Sequence, residues 1–207
     1  MASPDPPTAP QFPRRDPADP EFWDLRYQAR FSPWDAGKVP ARLRELVTTT
    51  TGRVLVPGCG SAWDVRCFAE SGWEVLGIDF SESALEAARA ILGPHASRVR
   101  HADFFAPIPE APFDWVYERA FLCALPRRMW SAWATRLAEL LKPGGMIGGF
   151  FYFEIQGSER GPPFPLSSQN ELDGLLTLGF ERIEDAPVED SIPFFAGKER
   201  WQVWRRR

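Results

Sequence analysis

"RVLVPGCGSAWDVRCFAESGWEVLGIDFS", residues 53 to 81, decides how this chain folds. Two apolar runs, RVLVP and EVLGID, flank a glycine pair and a stretch of helical spacing, and the second run ends on Asp79. That order predicts strand, loop, helix and strand. The two glycines of the loop Pro57-Gly58-Cys59-Gly60-Ser61 let the backbone turn tightly and approach a ligand without a side-chain clash. In an open parallel sheet, such a loop lies beyond the carboxyl end of its strand, where ligands bind.

Asp79 follows Gly58 by twenty-one residues and closes the second strand, where a carboxylate can accept hydrogen bonds from ribose hydroxyls. Loop and acid together predict an adenosine-containing ligand. A dinucleotide fingerprint requires glycine at its sixth place, so that the helix can present its N-terminus to a pyrophosphate; here that place holds Trp63. An indole cannot replace that glycine, which disfavours NAD and FAD. The absence of GxxxxGK[ST] disfavours ATP and GTP. S-adenosylmethionine is the remaining common adenosyl ligand, with a ribose for Asp79 and no phosphate to cradle.

Outward from this unit the alternation continues. RVRHAD, FDWVYE and GMIGGFFYF read as further strands. A helix over residues 62 to 71 is followed by one capped by Ser81, with Ala84, Leu85, Ala88, Ile91 and Leu92 on one face and a stop at Gly93-Pro94. A third covers residues 127 to 142, with Trp133, Leu137, Leu140 and Leu141 inward and Lys142-Pro143-Gly144-Gly145 as its end. The pattern implies an α/β domain with a doubly wound, mostly parallel sheet and helices on both faces. Downstream come a turn-rich loop, GSERGPPFPLSS, a helix near residues 169 to 178, and two closing strands, FERIEDA and KERWQVWRR, joined as a hairpin-like edge. Upstream, residues 21 to 50 form a cap rich in aromatics, with Phe22, Trp23 and Tyr27 at helical spacing, then Trp34, then an amphipathic stretch through Leu43 and Leu46. Residues 1 to 20 are rich in proline and poor in large apolar side chains, the composition of a flexible extension.

Bulk properties bound the function. A chain of 207 residues with 44% hydrophobic composition suits one globular domain, residues 21 to 207. A net charge of -4 and a pI near 5.3 argue against a nucleic acid partner, and Arg205-Arg206-Arg207 reads as a solvated tail. Three cysteines with no CxxC or Cys/His cluster indicate neither a disulfide framework nor a metal site. Neither a signal segment nor a membrane-length apolar run occurs, so the expectation is a cytoplasmic protein without membrane contact, a monomer by default.

Taken together, FWDLRYQARFSPWDAG, RVLVPGCGSAWDV, GIDFS, HADFF, YERAFLCALP, LLKPGG and GPPF resemble the thiopurine S-methyltransferase family, particularly its thiol, thiocyanate and halide methyltransferase branch. The resemblance spans residues 21 to 204. It implies a Rossmann-like sheet of seven strands whose last strand is antiparallel, and S-adenosylmethionine as cofactor. It also implies cofactor contacts by Trp23, Tyr27 and Trp34 from the cap, Gly58 from the loop and Asp79 on the ribose. Asp103 and Phe104 would meet the adenine, Arg119 would lie near the methionine end, and the GPPF loop, residues 161 to 164, would roof the acceptor. Tyr27 departs from the family, which commonly has tryptophan there. Helically spaced aromatics ordinarily just pack a cap onto a sheet; the SPWD context turns Trp23, Tyr27 and Trp34 toward ligand contact. Aromatic faces near a sulfonium would stabilise it by about 0.5 to 2 kcal/mol each.

Methyl transfer is an in-line displacement, so positioning supplies most of the catalysis. A thiol near neutral pH is partly ionised, and a hydrosulfide or halide carries no proton to remove, so no dedicated base is expected. Neither His95 nor His101 has an acidic partner at useful spacing, and both read as structural. Arg119 could attract an anionic acceptor and Glu118 could orient a substrate proton, while Cys123 reads as core. The expected reaction is methylation of a small sulfur nucleophile (thiol, thiopurine, hydrosulfide or thiocyanate) or halide, with a small-molecule acceptor as the partner. A metalloid (tellurite or selenite), oxygen or nitrogen acceptor is the alternative, and a non-catalytic module that binds S-adenosylmethionine is the second.

Overall fold

The computed structural model describes residues 10–155 and 161–207. The first nine residues of the proline-rich extension and the opening of the GSERGPPFPLSS loop lie outside the described residues. The cap consists of α1 (Pro20–Gln28) and α2 (Ala41–Thr49). There follow β1 (Arg53–Pro57), α3 (Trp63–Glu70), β2 (Glu74–Asp79), α4 (Glu82–Leu92), β3 (Val99–His101), β4 (Phe113–Arg119), α5 (Trp130–Leu140), β5 (Leu141–Tyr152), α6 (Gln169–Leu176), β6 (Phe180–Pro187) and β7 (Glu199–Arg206).

The strands form one seven-stranded sheet in the order β3-β2-β1-β4-β5-β7-β6. Strands β1 to β5 pair in parallel, and β7 runs antiparallel to both β5 and β6. The closing hairpin is therefore inserted with its second strand inward, leaving β6 as the edge. Strand order reverses beside β1, which places the β1–α3 loop and the ends of β2 and β4 around one crevice.

The central strands feed two cores because successive side chains point to opposite faces. Leu55, Val116, Ile147 and Trp204 pack with α5 and α6 against Trp133, Leu137 and Leu140. Val54, Val56, Tyr117, Trp201 and Val203 pack with α2, α3 and α4 against Phe68, Trp73 and Leu85. Burying an apolar side chain of this size stabilises the fold by about 1.5 to 3 kcal/mol, so both layers are needed to hold the crevice rigid.

Local chemistry sets the element ends. The Ser81 hydroxyl accepts the Ala84 N–H as the cap of α4, and Gly93 ends the helix at φ 52°. Pro20 occupies the first turn of α1 behind the Asp19 cap. Two boundaries differ from the sequence reading. The helix expected over residues 127 to 142 is a short 3₁₀ turn at Arg127–Met129 followed by α5, which gives way to β5 at Leu141. Lys142-Pro143-Gly144-Gly145 therefore lies inside β5, where the register to β4 jumps between Phe113↔Leu141 and Trp115↔Met146. Lys142 pairs there with Asp114, whose carboxylate also accepts the Arg53 N–H at 2.7 Å. Strand β3 is only three residues long, so Asp103 sits in the turn beyond it rather than in the strand. Among the described residues, no helix is long and apolar enough to cross a membrane.

Candidate active site

A cavity of about 450 Å³ opens over the carboxyl ends of β1, β2 and β4, between the sheet and the cap. Trp23, Tyr27, Trp34, Gly58, Asp79, Asp103, Phe104 and Arg119 all line it. Residues from six separate stretches thus converge on one space.

The loop after β1 is shaped for close approach. Gly58 and Gly60 have φ of 56° and 51°, the left-handed region that glycine tolerates. A Cβ at Gly58 would come within 2.5 Å of Phe121 Cδ2, and one at Gly60 within 2.5 Å of the Tyr27 hydroxyl. Only bare backbone therefore fits between β1, the cap and the β4 turn. Ala62 and Ala120 also take left-handed φ of 62° and 57°, and both line the cavity. Strain of this kind collects where a binding surface needs an unusual backbone.

Asp79, at the end of β2, is 8% exposed. One carboxylate oxygen accepts the Gly60 N–H at 3.0 Å and the other the Ser81 N–H at 2.9 Å. Burial raises its pKa to about 6 in spite of these bonds. Each oxygen keeps a second lone pair free for a donor in the cavity. A buried acid beside a loop too tight for side chains fits a ligand that offers a diol and close-packed edges, as the ribose of an adenosyl cofactor does. Asp103 accepts the Phe105 N–H through one oxygen at 2.9 Å, and the Phe104 ring packs edge-on against Phe105 and Phe121.

The cap supplies an aromatic wall. Trp23 and Trp34 meet edge to face with centroids 5.4 Å apart, and the Trp23 indole N–H donates to the Pro17 carbonyl at 2.8 Å. Burial pushes the Tyr27 hydroxyl above its ordinary range, so it remains a neutral donor. Asp24 fastens the cap down, accepting the Ser81 hydroxyl at 2.6 Å and the Ser83 N–H at 3.0 Å. Part of the proline-rich stretch contributes as well: Pro17 and Ala18 line the cavity, and Asp16 pairs with Arg128 at 2.5 Å.

Arg119, at the end of β4, pairs with Asp64 in the first turn of α3 at 3.3 Å, with its guanidinium 5.5 Å from the centroid of the Phe150 ring. Burial raises the pKa of Asp64 to about 6, and Arg119 only partly counteracts it. Asp64 lines the cavity, a position that sequence reasoning missed because an acid in the first turn of a helix ordinarily serves the helix dipole. Also missed were Phe105, although it closes the HADFF motif, and Met129, Phe194 and Phe195, apolar lining residues with no motif of their own. From the GPPF loop, Pro162 and Pro163 line the cavity, and the Phe164 N–H donates to the Cys123 carbonyl at 2.7 Å.

Glu118 is not brought to this cavity. It is 1% exposed, and one oxygen accepts the N–H groups of Phe121 and Leu122 at 2.9 and 3.0 Å. Its carboxylate therefore braces the turn that carries Phe121, and burial raises its pKa to about 7. Cys123 is buried against Tyr152 and Phe195, and its thiol is pushed up by burial, away from the ionised form. His101 contacts the Phe80 carbonyl at 2.9 Å on the exposed side of β3, and neither histidine is among the lining residues.

Comparison with known proteins agrees with this geometry. The model of the thiopurine S-methyltransferase family matches residues 18–207. A probable thiol methyltransferase 2 of Arabidopsis thaliana is 34% identical over 191 residues, covering 89% of this chain and 84% of its own. Thiocyanate methyltransferase 1 of Brassica oleracea is likewise 34% identical, with the same coverage. The fold is shared with the 1,6-didemethyltoxoflavin-N1-methyltransferase of Burkholderia thailandensis, solved with S-adenosylhomocysteine, at TM-score 0.72 and 17% identity over 95% of this chain and 92% of that one. The chain belongs to the thiopurine S-methyltransferase family of S-adenosylmethionine-dependent methyltransferases.

Proposed function

We propose that this enzyme methylates a small, soft sulfur nucleophile, a thiol, hydrosulfide or thiocyanate, with halide ions in the same chemical class. The observation that carries the reading is the division of the cavity. Asp79, Asp103 and the glycine loop offer hydrogen-bonding groups at the ends of β1 to β3, Arg119 and Asp64 are paired with each other, and Phe105, Leu125, Met129, Pro162, Pro163 and Phe194 give the rest of the lining a large apolar share. A weakly hydrated, polarisable acceptor loses little on entering such a wall, whereas an oxygen nucleophile would forfeit hydrogen bonds. The relatives' names, thiol and thiocyanate methyltransferases, support the same choice.

S-adenosylmethionine supplies an activated methyl group on a sulfonium. The roles of the chain's own residues follow from their chemistry. Asp79 accepts from the ribose hydroxyls, Asp103 and Phe104 receive the adenine, and Gly58 yields space for backbone approach. Trp23, Tyr27 and Trp34 present aromatic faces to positive charge and exclude water. Arg119 offers a fixed cation to an anionic group. Holding the acceptor in line supplies most of the acceleration.

The test is transfer of labelled methyl to hydrosulfide, an aromatic thiol, thiocyanate, iodide and tellurite in parallel. Turnover concentrated on sulfur acceptors and iodide supports the reading. Turnover confined to tellurite overturns it. Cofactor binding with no turnover at all favours a binding module.

A further inference from the structure

Among the described residues, the Asp64–Arg119 pair is the one ion pair whose two members both line the cavity. Side-chain exposures of 14% for Asp64 and 23% for Arg119 leave both little water, so each depends on the other for charge balance. Arg119 is the only hydrogen-bond partner of Asp64 among the described residues, engaged through one oxygen. The groups that face Asp64 are Arg119 and Tyr117 from β4, Asp35 from the cap loop and Cys67 from its own helix. Arg119 is also near Glu199 of β7. Arg119 thus serves a group of carboxylates, two of which, Asp64 and Asp35, line the cavity.

We propose that Asp64 takes the proton from a protonated thiol acceptor, so that Arg119 exchanges its counter-charge from Asp64 to the acceptor sulfur. The inference rests on the sulfur-acceptor reading above. The balance closes: the S–H proton moves to a carboxylate oxygen of Asp64, and the sulfur keeps the electron pair of that bond. Arg119 then faces a thiolate in place of a carboxylate, and the net charge of the pocket is unchanged. The thiolate forms the new S–CH₃ bond, the cofactor sulfur retains the pair of the bond that breaks, and Asp64 returns its proton to water when product leaves. Burial keeps the Asp64 carboxyl at about 6, high enough for it to hold a proton transiently near neutral pH.

An acceptor that is already an anion has no proton to give. Thiocyanate or iodide entering beside Arg119 leaves Asp64 without its partner, and Asp64 must draw a proton from solvent. The two acceptor classes are therefore separable. With Asp64→Asn at pH 7, an alkyl thiol should lose at least tenfold in kcat/KM, while thiocyanate and iodide, freed from the need to protonate Asp64, should hold or gain. Independently of turnover, calorimetry of thiocyanate binding in buffers of different ionisation enthalpy should show proton uptake with the wild-type protein and none with Asp64→Asn. Equal loss for thiol and anion, or wild-type binding without proton uptake, overturns the role of Asp64 while leaving the sulfur-acceptor reading intact. No turnover of thiol, thiocyanate or iodide by the wild-type protein overturns that reading, and this inference with it.

Discussion

Asp79 and Gly60 are joined by a 3.0 Å hydrogen bond from the Gly60 N–H to the Asp79 carboxylate, which ties the end of β2 to the loop after β1. The bond fixes the buried acid and the tight loop in one frame, so a ligand must satisfy both together. Asp79→Ala should weaken S-adenosylhomocysteine binding at least tenfold for each ribose hydrogen bond lost, since bonds to a charged group contribute about 1.5 to 3 kcal/mol. Isothermal calorimetry reads this directly, and unchanged affinity would remove Asp79 from the site.

The same residue sets a pH dependence. Its pKa is raised to about 6 by burial, so at pH 5 the free protein carries Asp79 largely protonated. Accepting two hydroxyl donors favours the ionised form. Cofactor affinity should therefore rise as pH increases through about 6 and level off above it, and Asp79→Asn should flatten that rise.

Gly58→Ala tests the loop. The added Cβ would lie 2.5 Å from Phe121, at a φ of 56° that L residues adopt at a cost of about 1 to 2 kcal/mol. The variant should lose cofactor affinity and several degrees of Tm. Gly174→Ala makes the opposite control: it lies in α6, and nothing stands within 4 Å of its Cβ position. Removing a helical glycine there should stabilise the protein by about 0.5 to 1 kcal/mol, read as a small rise in Tm with unchanged affinity.

Glu118 predicts how stability varies with pH. Its folded pKa is raised to about 7, chiefly by burial, from an ordinary value of 4.5. Below the ordinary value both folded and unfolded chains hold the proton; between the two values only the folded chain does. Stability associated with Glu118 is thus full below about pH 4.5 and declines as pH rises toward 7. Asp64 and Asp79, raised to about 6, add the same sign over a narrower window. Chemical denaturation from pH 5 to 8 should show Glu118→Gln losing part of this decline, because the amide oxygen can still accept the Phe121 and Leu122 N–H groups. A wild-type stability that climbs over that range would contradict the buried, raised carboxylate.

Much of this architecture was legible in the chain. β1 announces itself as a short apolar run between Gly52 and Gly58, β2 as a short apolar run closed by Asp79, and α4 because Ser81 and Gly93 mark its two ends. The start of β5 was not, since a Lys-Pro-Gly-Gly stretch reads as a helix stop and turn; only pairing with β4 across a register shift keeps it in the sheet. Asp79 was legible because its spacing from Gly58 is local. Asp64 was not, because its meaning depends on Arg119, 55 residues later and brought beside it only by the pairing of β1 with β4. Glu118 and Arg119 are neighbours in sequence, yet strand alternation sends one inward to brace a turn and the other into the cavity.

The cofactor and acceptor sites are tested most directly by a crystal structure of the protein with S-adenosylhomocysteine and thiocyanate. The ribose hydroxyls should lie within hydrogen-bond distance of Asp79, the adenine beside Asp103 and Phe104, and thiocyanate between the cofactor sulfur and Arg119. A cofactor seated away from Asp79 and the Gly58–Gly60 loop, or an anion held elsewhere than at Arg119, would contradict this placement.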